Sequence, residues 1–156
     1  IQTAKALNVI QPDFIRVHAT GIKLESKLGE FVRDGSFTLQ SEEEIVIEQK
    51  LFLQQLHEMD SYYVNEHIVN LLLEVRGNLR TEKQEMLSTI DRFLTLPPDE
   101  RLLFTVGRRL NIFFRLDDLK KPKLHQKAGE SLQQILSKNP HVDFAALCNY
   151  VRQSQI

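Results

Sequence analysis

Two sets of residues in this chain have side chains of the kinds that catalysis and metal binding use. Glu42, Glu43 and Glu44 are consecutive carboxylates that could bind a cation or transfer protons. They follow Ser41 with the Ser-x-x-Glu spacing of a capping box, which favours the first turn of a helix instead. Cys148, the single cysteine, could act as a nucleophile with one of five dispersed histidines. It lies on the apolar face of its predicted helix, which favours the role of a small buried hydrophobic residue.

The window 101–127 contains eight basic and only two acidic side chains, a balance of +6. By contrast, residues 1–76 carry 12 acidic and 7 basic side chains, a balance of −5. The window could bind an acidic protein segment or the phosphates of a nucleic acid, or it could simply be a set of solvated helix faces. Seven of its basic residues form the candidate partner-binding site: Arg108, Arg109, Arg115, Lys120, Lys121, Lys123 and Lys127.

Aromatic side chains alternate with arginines in the same window, as they do on some RNA-binding surfaces. Phe104, Phe113 and Phe114 could stack on bases if their rings were exposed. However, they share their stripe with Leu103 and Val106, which favours packing in the core.

The sequence contains none of the short motifs that indicate an enzyme. It has no glycine-rich phosphate-binding loop, no His-Glu-x-x-His and no Gly-x-Ser-x-Gly. One cysteine and scattered histidines do not give the local spacing of a zinc site. We therefore expect no enzymatic activity and no cofactor, and no stretch resembles a known family closely enough to name one.

Length and composition are those of an ordinary globular domain. The 156 residues are 42% hydrophobic and 26% charged with a net charge of −1, and we expect one domain over 1–156. A single cysteine excludes an internal disulfide framework and suits the reducing cytoplasm or nucleus. Because the chain begins at Ile1 and shows no signal-peptide pattern, we expect it to be a fragment of a larger intracellular protein.

The most apolar stretch, 102–116, predicts a helix at the centre of the domain. Its apolar residues cover most of the helical circumference, so neighbours should surround it. Fifteen helical residues span roughly 22 Å, which is too short for a bilayer. Arg108 and Arg109 are expected to emerge through the one polar seam of this helix.

Apolar spacing and end signals predict six more helices and no strand. Gly35 and Gly77 are expected to end helices, and Thr81 to begin one with a second capping box. These six helices are predicted over 12–33, 41–59, 62–76, 82–96 and 124–138, with a last short one capped by Asp143; residues 1–11 are expected to form a short helix or lead-in.

The predicted fold is all-α, with about seven antiparallel helices in a short HEAT- or armadillo-like stack or an irregular bundle. The predicted function is that of a non-catalytic scaffold or adaptor domain. It would bind a partner protein segment in a helical groove or on a basic edge. This edge would form where a turn at 117–123 brings the arginines of the central helix beside the lysines that follow it. The alternative is an RNA-binding module that uses the window 101–127. We expect neither membrane association nor a small-molecule substrate.

Overall fold

Residues 2–154 are described by a computed structural model, and seven α-helices account for most of this part of the chain. The helices, α1 to α7, are Gln2–Ile10, Lys27–Arg33, Glu42–Gln55, Lys83–Leu94, Pro98–Arg109, Pro122–Lys138 and Phe144–Ser154. Three short strands, β1 to β3, are Phe14–Arg16, Tyr62–Val64 and Gly77–Asn78, and a 3₁₀ turn spans Leu116–Lys120. The predicted helical character is confirmed, but the prediction of a chain without strands is wrong.

The three strands form one small sheet in the order β1-β2-β3. β1 runs parallel to β2, with Ile15 opposite Tyr63, and β2 runs antiparallel to β3. Because side chains alternate between the faces of a strand, Ile15 and Tyr63 point into the core while Phe14 and Tyr62 remain largely exposed on the other face. The sheet therefore contributes its central pair to the core.

The helix predicted over 12–33 is wrong for most of its length. Only α2 is helical there, because side-chain amides from distant segments bind the backbone groups that a helix would use. Asn70 accepts from the Ala19 N–H at 2.7 Å, and Asn149 binds both the N–H and the carbonyl of Ile22, at 2.8 and 3.0 Å. Residues 17–22 are thereby held in an irregular, non-helical conformation.

The helix predicted over 62–76 is also wrong. After β2 the chain forms an irregular loop, whose apolar residues Leu71, Leu72 and Val75 are nonetheless buried in the core. The Asn65 side chain spans the loop by donating to the Leu72 carbonyl at 2.6 Å. The apolar residues are spaced as in a helix because they are buried, but side chains such as those of Asn65 and Arg108 bind the backbone carbonyls of this segment and no helix forms.

The predicted central helix exists as α5, but it begins earlier and ends at Arg109. All residues from Leu103 to Arg109 are buried, which confirms its central position. Asn111 takes a left-handed φ of 57°, and the Ile112 N–H donates to the Gly107 carbonyl at 2.8 Å, which is a Schellman ending. The chain then folds back so that the Phe113 ring covers Gly107, where an added Cβ would lie 2.3 Å from it.

Two of the three predicted helix caps are confirmed. Ser41 and Glu44 form the capping box of α3, and the Asp143 carboxylate accepts from the Ala145 N–H at 2.9 Å at the start of α7. The Thr81 capping box is wrong, because α4 begins at Lys83 with Glu82 as its N-cap residue, and no side chain caps it.

Buried apolar side chains from the sheet and from five of the seven helices form one core cluster. In this cluster the Phe104 ring stacks on Phe113 and meets Phe93 at a tilt of 58°, with ring centroids 5.9 Å apart in both pairs. The sequential pairs α3–α4 and α5–α6 pack against each other. The interior of the domain therefore lies around α5, whose C-terminal end leads to the candidate site.

Candidate binding groove and buried arginine cluster

Arg108 and Arg109 lie inside the molecule, and their predicted emergence at the surface is wrong. Their side chains are buried because α5 ends against the loop 65–70, where unpaired backbone carbonyls need donors. Arg108 Nη2 donates to the carbonyl of Ile68 at 2.9 Å, and Arg109 Nη1 donates to that of Val69 at 2.9 Å. The two guanidinium groups thus hold this loop in its non-helical course.

Glu42 is the carboxylate on which the buried arginines converge. It accepts from Arg109 Nε at 3.1 Å and from Arg109 Nη2 at 2.5 Å, and it also accepts from Arg152 Nη1. All three side chains are 5% exposed or less. The first turn of α3, the end of α5 and the end of α7 are therefore joined by one buried ionic network, which we call the arginine cluster (Glu42, Arg108, Arg109 and Arg152).

The arginine cluster carries more positive than negative charge. Three guanidinium groups share one buried carboxylate, and Arg108 Nε, Arg108 Nη1 and Arg152 Nε have no hydrogen-bond partner among residues 2–154. The Phe114 ring lies 5.6 Å from the Arg108 guanidinium and offers it a cation–π contact. Burial, reinforced by the like charge of Arg109, lowers the pKa of Arg108 to about 10.

Cys148 lies beside this cluster and has the properties of a core residue. It is 2% exposed, and burial together with the negative charge of Glu42 raises the pKa of its thiol to about 12. A thiol with a raised pKa is a poor nucleophile at neutral pH.

A groove with a cavity volume of about 730 Å³ opens next to the arginine cluster. Its walls come from the irregular segment 17–22, the connection 37–40, α3 and the loop after β2, and Arg152 contributes to its lining. Among its lining residues, Leu51 is 57% and Phe37 is 38% exposed, whereas Ile22 and Val46 are buried. The groove therefore runs from an apolar, accessible rim to a buried guanidinium.

Polar side chains inside the groove are already positioned by their neighbours. Gln49 on α3 donates to the hydroxyl of the buried Tyr63 at 3.2 Å. His18 stacks on His67 with the ring centroids 4.2 Å apart. Partial desolvation and the neighbouring charges of His67 and Arg16 lower the pKa of His18. These groups are held before any ligand binds, which reduces the entropic cost of binding.

The remaining basic candidates lie on the surface, away from the groove lining. Lys120 contacts Asp117 at 2.8 Å and Lys121 contacts Asp118 at 2.7 Å, so two of the loop lysines have carboxylate partners. Arg115, Lys123 and Lys127 are exposed. Because Arg108 and Arg109 point inward, the expected edge combining both sets is not assembled, and a binding role for the exposed residues stays a prediction.

Sequence reasoning missed the residues that form the groove and its charged end. Glu42 was correctly placed in a first helical turn, but its partners are 67 and 110 positions away in the chain. Arg152 looked like an ordinary basic residue near a helix end. The sequence offers one signal for a buried arginine, which is its position within an otherwise apolar helical stretch. That signal applies to Arg108 and Arg109 but not to Arg152.

Neither a metal-binding cluster, nor a membrane-spanning helix, nor a similar known protein indicates what this groove binds. Within residues 2–154, no three His, Cys, Asp or Glu side chains are arranged to hold a metal ion. No helix of the described chain is both long and apolar enough to cross a membrane. Comparison with protein-family models, curated proteins and solved structures finds no match for this chain.

Proposed function

We propose that this chain is a non-catalytic, intracellular scaffold or adaptor domain, built as an irregular helical bundle, and that a segment of another protein binds in its groove. The observation that carries the proposal is the groove itself. Its volume of about 730 Å³ lies in the range of ligand sites, and its rim exposes large apolar side chains such as Leu51 and Phe37. A concave site lined mostly by apolar side chains, with a few positioned polar groups among them, is typical of binding sites in proteins.

The fixed course of the groove walls supports the same proposal. Asn70 and Asn149 hold residues 17–22, and Asn65 holds the loop after β2, through bonds of 2.6–3.0 Å. An irregular backbone costs conformational entropy to order, so walls fixed beforehand favour tight binding of an extended segment.

The groove is a better candidate than the basic edge. Asp117 and Asp118 neutralise two of the lysines in the 117–123 turn, and the two adjacent arginines of α5 are buried. Nucleic-acid binding draws its affinity from many accessible cations that neutralise phosphates. The surface at 115–127 offers three exposed basic side chains without such a carboxylate contact, so we rank the RNA-binding alternative second.

The proposal is tested by selecting binders from a phage-displayed library of random 12-residue peptides and measuring their affinities by fluorescence polarisation. Leu51→Asp should weaken the selected peptides about tenfold or more, because a charge then lies on the apolar rim. Val9→Asp is the matched control, since Val9 is 85% exposed and lies outside the groove lining. Peptides that bind both variants equally well, or a library that yields no binder, would contradict the proposed function.

A further inference from the structure

Positive charge in the arginine cluster exceeds what the surrounding protein balances. The other buried carboxylate in the described chain, Asp118, accepts from the backbone of Phe114 and Arg115 and contacts Lys121, so it does not serve the cluster. Glu42 alone faces three guanidinium groups. A buried charge without an opposite charge is unfavourable, and an anion entering this region would be bound strongly.

Among the three arginines, Arg152 is the one that lines the groove. Glu42 engages Arg152 through Nη1, which leaves the buried Nε without a partner among residues 2–154. Arg109 uses Nε, Nη1 and Nη2 in bonds to Glu42 and the Val69 carbonyl. The unfilled hydrogen-bonding capacity next to the cavity therefore belongs to Arg152.

We propose that Arg152 binds an aspartate or glutamate side chain of the segment that occupies the groove. The inference rests on the proposed function and specifies the chemistry of the partner: an acidic residue flanked by apolar ones. The buried apolar residues Ile22 and Val46 also line the groove, and apolar surroundings strengthen a charge-assisted hydrogen bond.

A single carboxylate fits the site better than a phosphate does. Glu42 already occupies one edge of the Arg152 guanidinium, and Glu48 also lines the groove. A doubly charged phosphate would meet repulsion from both carboxylates, and Arg152 is the one lysine or arginine in the groove lining to offset it. The carboxylate of a side chain brings one charge, and its flanking residues can reach the apolar rim at Leu51 and Phe37.

The test uses the intact chain and a selected peptide together with its acid-to-amide analogue, in which Asp becomes Asn or Glu becomes Gln. The amide analogue should bind about tenfold or more weakly, the loss typical of a charge-assisted contact. With Arg152→Gln the acid and amide peptides should bind almost equally. The control Arg33→Gln changes an exposed arginine outside the groove lining and should preserve the full difference.

The other possible results distinguish the groove proposal from the acidic-partner inference. If Leu51→Asp abolishes binding but the acid and amide peptides differ by less than about twofold, the groove proposal survives and the acidic-partner inference is wrong. A phosphoserine analogue that binds more tightly than the acidic peptide would assign the site to phosphate instead. If Arg152→Gln does not fold, the acid–amide comparison on the unchanged protein still decides, because it requires no protein variant.

Discussion

Replacing Glu42 with glutamine should destabilise the protein strongly, because it removes the negative charge on which buried arginines converge. The glutamine keeps one oxygen and places an amide NH₂ group against the guanidinium donors of Arg109 and Arg152. It also removes the only carboxylate among residues 2–154 that faces the arginine cluster. Those arginines are 3% exposed, so water cannot replace the lost partner.

Breaking a buried ion pair by removing one partner costs about 3–5 kcal/mol in other proteins. We expect a loss in this range for Glu42→Gln, because Glu42 accepts three N–H donors and joins α3, α5 and α7. The free energy of unfolding of a domain this size is about 5–15 kcal/mol, so the variant should lose a large part of it. The melting temperature should fall on the order of 10 °C.

The adjacent residue supplies a matched control. Glu43 contacts Arg101 at 3.1 Å, but its side chain is 45% exposed, so Glu43→Gln should cost less than about 1 kcal/mol. Urea denaturation followed by circular dichroism at 222 nm measures both variants. A loss below about 1 kcal/mol for Glu42→Gln, or equal losses for the two variants, would refute the structural role we assign to the cluster.

Four further outcomes follow from the fold. Phe113→Ala should cost about 3–5 kcal/mol in urea denaturation because its ring is fully buried; a thermal melt unchanged within two degrees would contradict this. Ser41→Ala should cost about 0.5–2 kcal/mol because it removes a capping box, whereas Thr81→Ala should be nearly neutral because its side chain caps no helix; equal losses would contradict the two assignments. Cys148 should react with iodoacetamide at pH 8 far more slowly in the folded protein than in urea, since its pKa is raised to about 12; equal rates would place the thiol at the surface. Gel shifts with mixed RNA oligonucleotides at physiological salt should show no specific complex, and micromolar binding lost on changing lysines in 120–127 to glutamate would favour the RNA alternative.

Local signals in the sequence predicted the helices well where the chain supplies its own hydrogen bonds. Ser41 and Asp143 begin α3 and α7 as expected, and apolar periodicity located α4 and α6 within a few residues. Helix caps and apolar periodicity involve residues only three or four positions apart, so they can be recognised in a single sequence.

The two wrong helix predictions share a physical cause. Side chains that are distant in the sequence form hydrogen bonds with the backbone groups of these segments. At 12–33 and 62–76, helical apolar spacing is present, yet amides and guanidinium groups from distant segments bind the backbone. Asn149 lies 127 residues from Ile22, and Arg108 lies 40 residues from Ile68. No local pattern reveals such pairs.

The candidate site was harder to predict than the fold because its key residues are charged and buried. The sequence presents Arg108 and Arg109 as members of a basic window, and burial removes them from any surface. The exposed basic residues of that window keep their predicted binding role as a hypothesis, while the groove and Arg152 became evident only in three dimensions.

The most direct test of the account is a two-dimensional ¹H–¹⁵N NMR titration of the labelled chain with a selected acidic peptide. We predict that the largest shifts fall on groove residues such as Thr20 and Gln49 and on the side-chain Nε–H of Arg152. Shifts confined to 115–127, with the Arg152 signal unchanged, would contradict the groove as the binding site.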